Sequence, residues 1–221
     1  MRIYFLGIGG TAMGNAAILL KKLGHEVFGS DGKIYPPMSE ILKDAALEIY
    51  QGFDANRLQQ LNPDLVVVGN AISRGNDELE WLLDSRACSM ISLPQLLNDF
   101  LLKKKDTLII TGTHGKTTTA TIAAFLLQAN SDDPSWFIGG VPNSLSNGAH
   151  LGQGAHFVIE GDEYDSAFFD KRSKFIHYNP YIVSINNLEM DHADIFRDLA
   201  DIQRSFSHLI RLIPQRGYLI V

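Results

Sequence analysis

The clearest candidate for chemistry is a glycine-rich segment at residues 112–118, which reads GTHGKTT. It follows the apolar run 107–110 and precedes an alanine-rich apolar run at 120–127, which is the order strand, turn, helix. In such a turn, backbone N–H groups surround phosphates, a lysine neutralises charge and a hydroxyl contacts Mg²⁺. The strict pattern also has a glycine where this chain has Ile110, so only the shorter form, GxxGKT, is present. The segment predicts binding of ATP or GTP with Mg²⁺ through Gly112, Thr113, His114, Gly115, Lys116, Thr117 and Thr118.

Acidic residues follow an apolar run at 156–159 that is typical of a buried strand. They are Glu160, Asp162, Glu163 and Asp165. A triphosphate site needs an acid at a neighbouring strand end to anchor its metal, and carboxylate oxygens suit Mg²⁺. The alternative interpretation is a solvated acidic turn. In a domain with a phosphate-binding loop we favour the metal site, with Glu160 as ligand.

A second polar cluster, residues 191–194, follows the apolar run 182–185 and contains His192. Ligands of open α/β sheets bind at the carboxyl ends of the strands, so His192 is expected to reach the same metal. A single histidine is otherwise more often structural. The predicted catalytic residues are therefore Lys116, Glu160 and His192, and the predicted metal ligands are Thr117, Glu160 and His192.

Another glycine loop lies near the amino terminus, where Gly7-x-Gly9-x-x-Ala12 follows an apolar run and precedes a helical pattern. Asp31 ends the next predicted strand, about where a carboxylate meets a ribose hydroxyl in dinucleotide-binding folds. This pattern is weak alone, because any strand-to-helix turn needs glycine for steric reasons. By itself the loop suggests an NAD dehydrogenase.

Apolar runs typical of strands alternate with helical patterns along the whole chain, which indicates an α/β fold with parallel sheets covered on both faces. The charged run 103–106 separates two such series. We predict a Rossmann-like parallel-sheet domain at 1–103, followed by a P-loop-type α/β domain at 107–221. The chain ends on an apolar strand pattern, which we interpret as a truncated second domain.

The composition limits the classes of function. The formal net charge of the 221 residues is -6, which gives no general attraction to nucleic acid. The one cysteine, Cys88, excludes an intrachain disulfide and fits a reducing compartment. No apolar run approaches the ~18 residues of a membrane helix. We expect a soluble, cytoplasmic protein whose phosphate binding is local.

Taken together, four segments resemble the Mur ligase family: GIGG from Gly7, the GTHGKTT loop, EGDE from Glu160, and NLEMDH ending at His192. The family consists of ATP-dependent amide-forming ligases of peptidoglycan synthesis. The resemblance implies three domains: one for the UDP part of a sugar substrate, one for ATP and Mg²⁺, and one that closes over the nucleotide. It assigns the first loop to UDP rather than NAD. The implied UDP-sugar residues are Gly7, Gly9, Gly10, Thr11, Asp31, Asn70, Ala71 and Arg74.

Within the family, the stretch 164–175, YDSAFFDKRSKF, resembles members that rejoin a recycled murein tripeptide to UDP-N-acetylmuramate. The tripeptide is L-alanyl-γ-D-glutamyl-meso-diaminopimelate. The branch that adds L-alanine shares the loops but usually lacks this stretch, and it is the alternative. Nucleic acid and membranes are not implied as partners, and the sequence does not indicate an oligomeric state.

Two departures from the family pattern affect the expected activity. Several members use a carbamylated lysine after the histidine, but no lysine follows Lys174 here. The third domain is missing from the sequence, so we expect that the fragment alone does not complete turnover. A nucleotide-sugar-binding module without catalysis and a dinucleotide oxidoreductase are the competing functions.

Overall fold

Two apolar runs without polar alternation form neighbouring central strands of a first sheet, because every side chain in them is buried or nearly so. The strands of this sheet are β1 (Arg2–Leu6), β2 (Glu26–Asp31), β3 (Glu48–Gln51), β4 (Leu65–Val68) and β5 (Ser89–Ser92). They lie in the order β3-β2-β1-β4-β5, and each neighbouring pair is parallel. The intervening helices are α1 (Thr11–Lys22), α2 (Met38–Asp44), α3 (Ala55–Leu61) and α4 (Asp77–Ser85).

The computed structural model describes residues 1–140, 142, 144–145, 147–190 and 196–221. It divides the chain into two units, which we call unit 1 (Met1–Leu96 with Ala167–Asp170) and unit 2 (Leu97–Ser166 with Lys171–Val221). The α/β fold class predicted from the sequence is confirmed. The proposed domain ranges, 1–103 and 107–221, stay a prediction.

Unit 2 contains a second sheet. Its strands are β6 (Asp106–Thr111), β7 (Ser135–Phe137), β8 (Ala149–His150), β9 (His156–Gly161), β12 (Pro180–Ile185) and β13 (Tyr218–Ile220), in the order β13-β12-β6-β9-β7-β8. Neighbouring strands are parallel except β7 and β8, which are antiparallel, so this sheet is mixed rather than purely parallel. Strands β10 (Asp165–Ala167) and β11 (Asp170–Ser173) form a separate two-stranded sheet. The helices are α6 (Lys116–Ala129) and α7 (Leu199–Ile210), with a 3₁₀ turn at Lys174–His177.

Several of these elements differ from the sequence prediction. The sequence pattern predicts one continuous helix over 94–102, but the structure has a short helix, α5 (Leu93–Leu97), continued by a π-helical turn at Asn98–Leu102. Neither β3 nor α3 was predicted, because both are short and largely polar. The start of α3 carries a local signal, since the Asp54 carboxylate accepts a hydrogen bond from the Asn56 N–H at 2.9 Å. Among the described residues, no helix is long and apolar enough to span a membrane.

The topology of unit 2 determines where its loops meet. Strand β6 lies between β9 and β12, and Thr111 at its end is level with Gly161 on one side and Ile185 on the other. The carboxyl ends of parallel strands lie at the same end of the sheet, so the loops that follow them begin there. The segments that follow β6, β9 and β12 are therefore neighbours.

Candidate functional site

The amino-terminal glycine loop of unit 1 is shaped by close contacts. Gly7 has a φ of +91°, a conformation that favours glycine. A Cβ on Gly9 would lie 2.8 Å from Ile34 Cγ1 and 2.9 Å from an Asp31 oxygen, so no side chain fits there. The loop leads into the amino terminus of α1, where the first backbone N–H groups have no intrahelical acceptor. This arrangement suits an anionic ligand.

A cavity of about 480 Å³ opens beside this loop. Seven of the eight residues that the resemblance assigned to the UDP-sugar line it, and they are Gly7, Gly9, Gly10, Thr11, Asp31, Asn70 and Ala71. Arg74 is not among the described residues that line the cavity. It forms an ion pair with Glu80, with Nη2 2.8 Å from Oε2. The cavity is large enough for a substantial part of a nucleotide sugar.

Asp31 holds the glycine loop in place. One carboxylate oxygen accepts a hydrogen bond from the Gly9 N–H at 2.7 Å, and the other accepts from the Gly32 N–H at 2.7 Å. The side chain therefore acts on the loop itself as well as lining the cavity. A role for Asp31 with a ribose hydroxyl stays a prediction.

Behind the loop lies a buried ionic network centred on Glu78, whose side chain is fully buried. Its carboxylate accepts hydrogen bonds from Tyr4 Oη at 2.8 Å, Ser30 Oγ at 2.5 Å and Arg57 Nη2 at 2.7 Å. The Ser30 carbonyl in turn accepts from the Gly7 N–H at 2.9 Å. The network thus supports the strand end against which the glycine loop folds.

We expect Glu78→Ala to lower the free energy of unfolding by about 3 kcal/mol or more, because it leaves the partly buried Arg57 guanidinium without its carboxylate. Urea unfolding, followed by far-UV circular dichroism, measures this change. The matched control is Glu80→Ala, which removes the exposed pair with Arg74 and should leave the unfolding midpoint nearly unchanged. Equal destabilisation by the two substitutions would show that the buried Glu78 network contributes no more to the free energy of unfolding than an exposed ion pair.

In unit 2 the predicted phosphate loop connects β6 to α6, as expected. Gly112 and Gly115 have φ values of +127° and +78°, which explains the glycine at both positions. The first intrahelical bond of α6 runs from the Thr119 N–H to the Gly115 carbonyl at 3.0 Å. The N–H groups of residues 116–118 therefore have no intrahelical acceptor and are available to an anion. The side chains of Thr117 and Thr118 are exposed at this end of the helix.

Lys116 is folded over the loop. Its ammonium group donates to the carbonyls of Gly112 at 2.7 Å and Thr113 at 3.3 Å, and it lies 3.2 Å from Glu163 Oε2. Glu163 is only 3% exposed. The sequence named Glu163 as part of the acidic segment but did not predict this ion pair.

Glu160 differs from the other acids of its segment. Asp162 pairs with Lys174 at 2.9 Å, Glu163 with Lys116, and Asp165 with Lys171 at 2.7 Å. Glu160 instead accepts a hydrogen bond from a neutral donor, the Gly139 N–H at 3.2 Å, and lies near the Thr117 hydroxyl. Burial raises the pKa of its carboxyl, and the nearby Thr117 hydroxyl opposes this rise.

The Thr117 hydroxyl and the Glu160 carboxylate carry oxygen atoms of the kind that Mg²⁺ prefers, and their role as metal ligands stays a prediction. The described residues contain no cluster of three or more histidine, cysteine or acidic side chains around a common point. His192, the third predicted ligand, lies outside the described residues. The structure therefore brings together two of the three predicted metal ligands.

Sequence reasoning assigned no site role to the residues directly after β12, although Asn187 begins the NLEMDH segment. Asn186 and Asn187 lie against the phosphate loop, and Asn187 Oδ1 accepts a hydrogen bond from the His114 N–H at 2.8 Å. The rule that parallel strands end at one edge could have found them, since both polar residues follow an apolar strand. The His114 side chain is exposed, with Nε2 3.8 Å from a Glu189 oxygen.

The chain belongs to the Mur ligase family. Residues 2–105 match the model described as "Mur ligase family, catalytic domain", and residues 110–221 match the "Mur ligase middle domain". The two matches meet near the charged run at 103–106 and each contains one of the two glycine loops. The resemblance inferred from the loops is thus confirmed at the level of the family.

Individual members of the family show which ligases this chain resembles in sequence and in structure. The chain is 52% identical to UDP-N-acetylmuramate–L-alanyl-γ-D-glutamyl-meso-2,6-diaminoheptandioate ligase from Escherichia coli, covering 100% of this chain and 48% of that protein. The crystal structure of UDP-N-acetylmuramate:L-alanyl-γ-D-glutamyl-meso-diaminopimelate ligase from Neisseria meningitidis superimposes with a TM-score of 0.94 at 44% identity, covering 99% of this chain and 70% of that one. A UDP-N-acetylmuramate–L-alanine ligase from Dictyoglomus turgidum is 35% identical, with 100% of this chain and 45% of that protein covered. The chain spans about half the length of the curated relatives it matches.

Proposed function

We propose that this chain is part of an ATP-dependent ligase that joins UDP-N-acetylmuramate to a murein tripeptide, L-alanyl-γ-D-glutamyl-meso-diaminopimelate. The observation that carries the proposal is the phosphate loop of unit 2, with Lys116 folded over it and Glu160 beside Thr117. The substrates are those in the names of the E. coli and Neisseria relatives. Both ATP and UDP-sugars are cytoplasmic metabolites, so we place the reaction in the cytoplasm.

The chemistry follows from the weakness of a carboxylate as an electrophile. A carboxylate oxygen of UDP-N-acetylmuramate attacks the γ-phosphorus of ATP, the bond to the bridging oxygen breaks, and ADP leaves with that electron pair. The tripeptide amine then attacks the acyl carbon, and phosphate leaves as the amide forms and the amine loses its proton. Such phosphoryl transfer depends mainly on alignment and charge neutralisation.

The residues of this chain supply that alignment. The N–H groups of residues 116–118, which have no intrahelical acceptor, hold the phosphates, and the Lys116 ammonium neutralises their charge. Thr117, Glu160 and His192 are the proposed ligands of Mg²⁺, which supplies further charge neutralisation when it is bound. In unit 1, the cavity beside Gly7 and Asp31 is the proposed UDP site.

The second candidate is a ligase that adds L-alanine to the same sugar nucleotide. The Dictyoglomus relative supports it, but at 35% identity against 52% for the E. coli tripeptide ligase. The two candidates differ only in the amine. Phosphate release by the full-length protein, measured with tripeptide and with L-alanine, separates them.

Thermal unfolding with added ligands tests the proposed function on the chain itself. A ligand at a hundred times its Kd stabilises the folded form by about 2.7 kcal/mol. We expect UDP-N-acetylmuramate and Mg·ATP each to raise Tm by about 5 °C or more, and NAD to leave it unchanged. Stabilisation by NAD alone would favour an oxidoreductase, and stabilisation by the sugar nucleotide alone would favour a binding module without catalysis.

A further inference from the structure

The chain that leaves β12 continues alongside the phosphate loop. The Asn186 N–H donates to the Thr111 carbonyl at 2.9 Å, and the Thr113 N–H donates to the Asn187 carbonyl at 3.1 Å. The Glu189 N–H then donates to Thr113 Oγ1 at 2.9 Å. The pairing of β6 with β12 thus extends beyond both strands into the loop, and we call residues 186–189 the bracing segment.

The Asn187 side chain makes the contact that is most specific for the loop. Its Oδ1 accepts from the His114 N–H at 2.8 Å, and its Nδ2 donates to the His114 carbonyl at 3.3 Å. One carboxamide therefore bonds both backbone polar groups of a single loop residue. This arrangement fixes the peptide planes before and after His114, and with them the directions of neighbouring N–H groups.

The bracing segment also explains why the loop begins with glycine. A Cβ on Gly112 would lie 2.9 Å from the Asn187 carbonyl oxygen and 3.0 Å from its nitrogen. On the other side of the loop, Asn186 Nδ2 donates to Thr119 Oγ1 at 3.0 Å. The shape of the loop is thus determined jointly by its own glycines and by a segment some 70 residues later in the chain.

We infer that Asn187 is a positioning residue that holds the phosphate loop in the conformation that binds triphosphate, an inference that rests on the proposed function. Asn187 does not need to contact the nucleotide. Its carboxamide keeps the His114 backbone ordered before the nucleotide arrives. Without it, nucleotide binding has to order that part of the loop, which lowers affinity but not the rate from the bound state.

Calorimetric titration with the Mg²⁺ complex of a non-hydrolysable ATP analogue tests this inference. The titration is carried out on the unaltered chain and on three variants. Asn187→Ala is expected to raise Kd about tenfold, and Asn187→Asp to raise it further. Aspartate keeps the acceptor for the His114 N–H but cannot donate to the His114 carbonyl, and it adds a negative charge beside the phosphates. The control is Asn130→Ala, which removes a comparable side-chain bond to the Leu126 carbonyl at the far end of α6 and should leave Kd unchanged.

The order of the variants distinguishes positioning from general structural support. If Asn187 only stabilised the fold, Asn187→Asp would be less destabilising than Asn187→Ala. A fall in Tm would then not be accompanied by a fall in nucleotide affinity. In the full-length protein, we expect KM for ATP to rise about tenfold in Asn187→Ala while kcat stays within about twofold. Asn187→Ser, which is too short to reach both His114 atoms, replaces alanine if that variant does not fold.

An unchanged Kd in a folded Asn187→Ala or Asn187→Ser variant would overturn the inference, as would a fall in kcat with no change in KM for ATP. Failure of the unaltered chain to bind the analogue at all is a different result, because it would contradict the proposed function rather than the role of Asn187. Binding of UDP-N-acetylmuramate to each variant, measured in parallel, is expected to stay unchanged.

Discussion

Lys116→Ala is expected to lower ligation by the full-length protein at least about a hundredfold, while its affinity for UDP-N-acetylmuramate stays within about twofold. The ammonium of Lys116 is the cation held directly over the phosphate loop, by the carbonyls of Gly112 and Thr113 and by Glu163. The cavity proposed for the sugar nucleotide is lined by residues of unit 1 alone. Phosphate release and calorimetric titration with UDP-N-acetylmuramate measure the two quantities.

The matched control for Lys116→Ala is Lys171→Ala, which removes another lysine of unit 2 that is paired with an acid, here the exposed pair with Asp165. It should leave both quantities nearly unchanged. Lys116→Ala also deprives the buried Glu163 of its cation, so the double variant with Glu163→Gln separates loss of charge at the loop from local destabilisation. Loss of sugar-nucleotide binding together with ligation would contradict the proposed division of labour between the units.

Glu160→Gln is expected to raise the Mg²⁺ concentration needed for half-maximal ligation about tenfold or more, because it replaces the negative carboxylate by a neutral amide. Among the acids of its segment, Glu160 is the one that has no lysine partner in the described contacts. Asp162→Asn is the control, since that carboxylate is paired with Lys174. A Mg²⁺ titration by phosphate release measures both variants. An unchanged titration for Glu160→Gln would remove this residue from the metal site.

The raised pKa of Glu160 adds a dependence on pH. Burial favours its neutral form, so as pH falls this carboxyl takes up a proton earlier than an ordinary glutamate, and Mg²⁺ binding weakens from a higher pH. A folded-state pKa above the unfolded value means that the folded state binds the proton more tightly. The resulting stabilisation is present below the unfolded pKa and is lost as pH rises through the folded one. Without ligands at neutral pH, Glu160→Gln should therefore raise Tm, which thermal unfolding followed by circular dichroism measures.

The two glycine loops were predictable because steric and electrostatic requirements act locally. Gly112 and Gly115 adopt positive φ values, and the alternation of strand, glycine turn and helix is visible without knowledge of the rest of the fold. The place of Glu160 near the carboxyl end of β9 was predictable from the apolar run before it, and its role as a metal ligand stays a prediction. The two central strands with uninterrupted apolar sequence were predictable because both of their faces are buried.

Contacts that depend on pairing between distant segments were not predictable in the same way. The Lys116–Glu163 pair and the bond between Asn187 and His114 each require the order of strands in the sheet, which periodicity does not specify. Strand β3 is a half-buried edge strand without an apolar run. Strand β11 consists mostly of charged residues, so its sequence is not typical of a strand.

The central claim is that the loop at residues 112–117 holds the phosphates of ATP so that a carboxylate becomes reactive. A crystal structure of the protein with Mg²⁺ and a non-hydrolysable ATP analogue tests it most directly. We predict density for the β- and γ-phosphates against the N–H groups of this loop, with the metal between Thr117 and Glu160. Density for the triphosphate at the amino-terminal glycine loop, or anywhere else away from Lys116, would contradict the account.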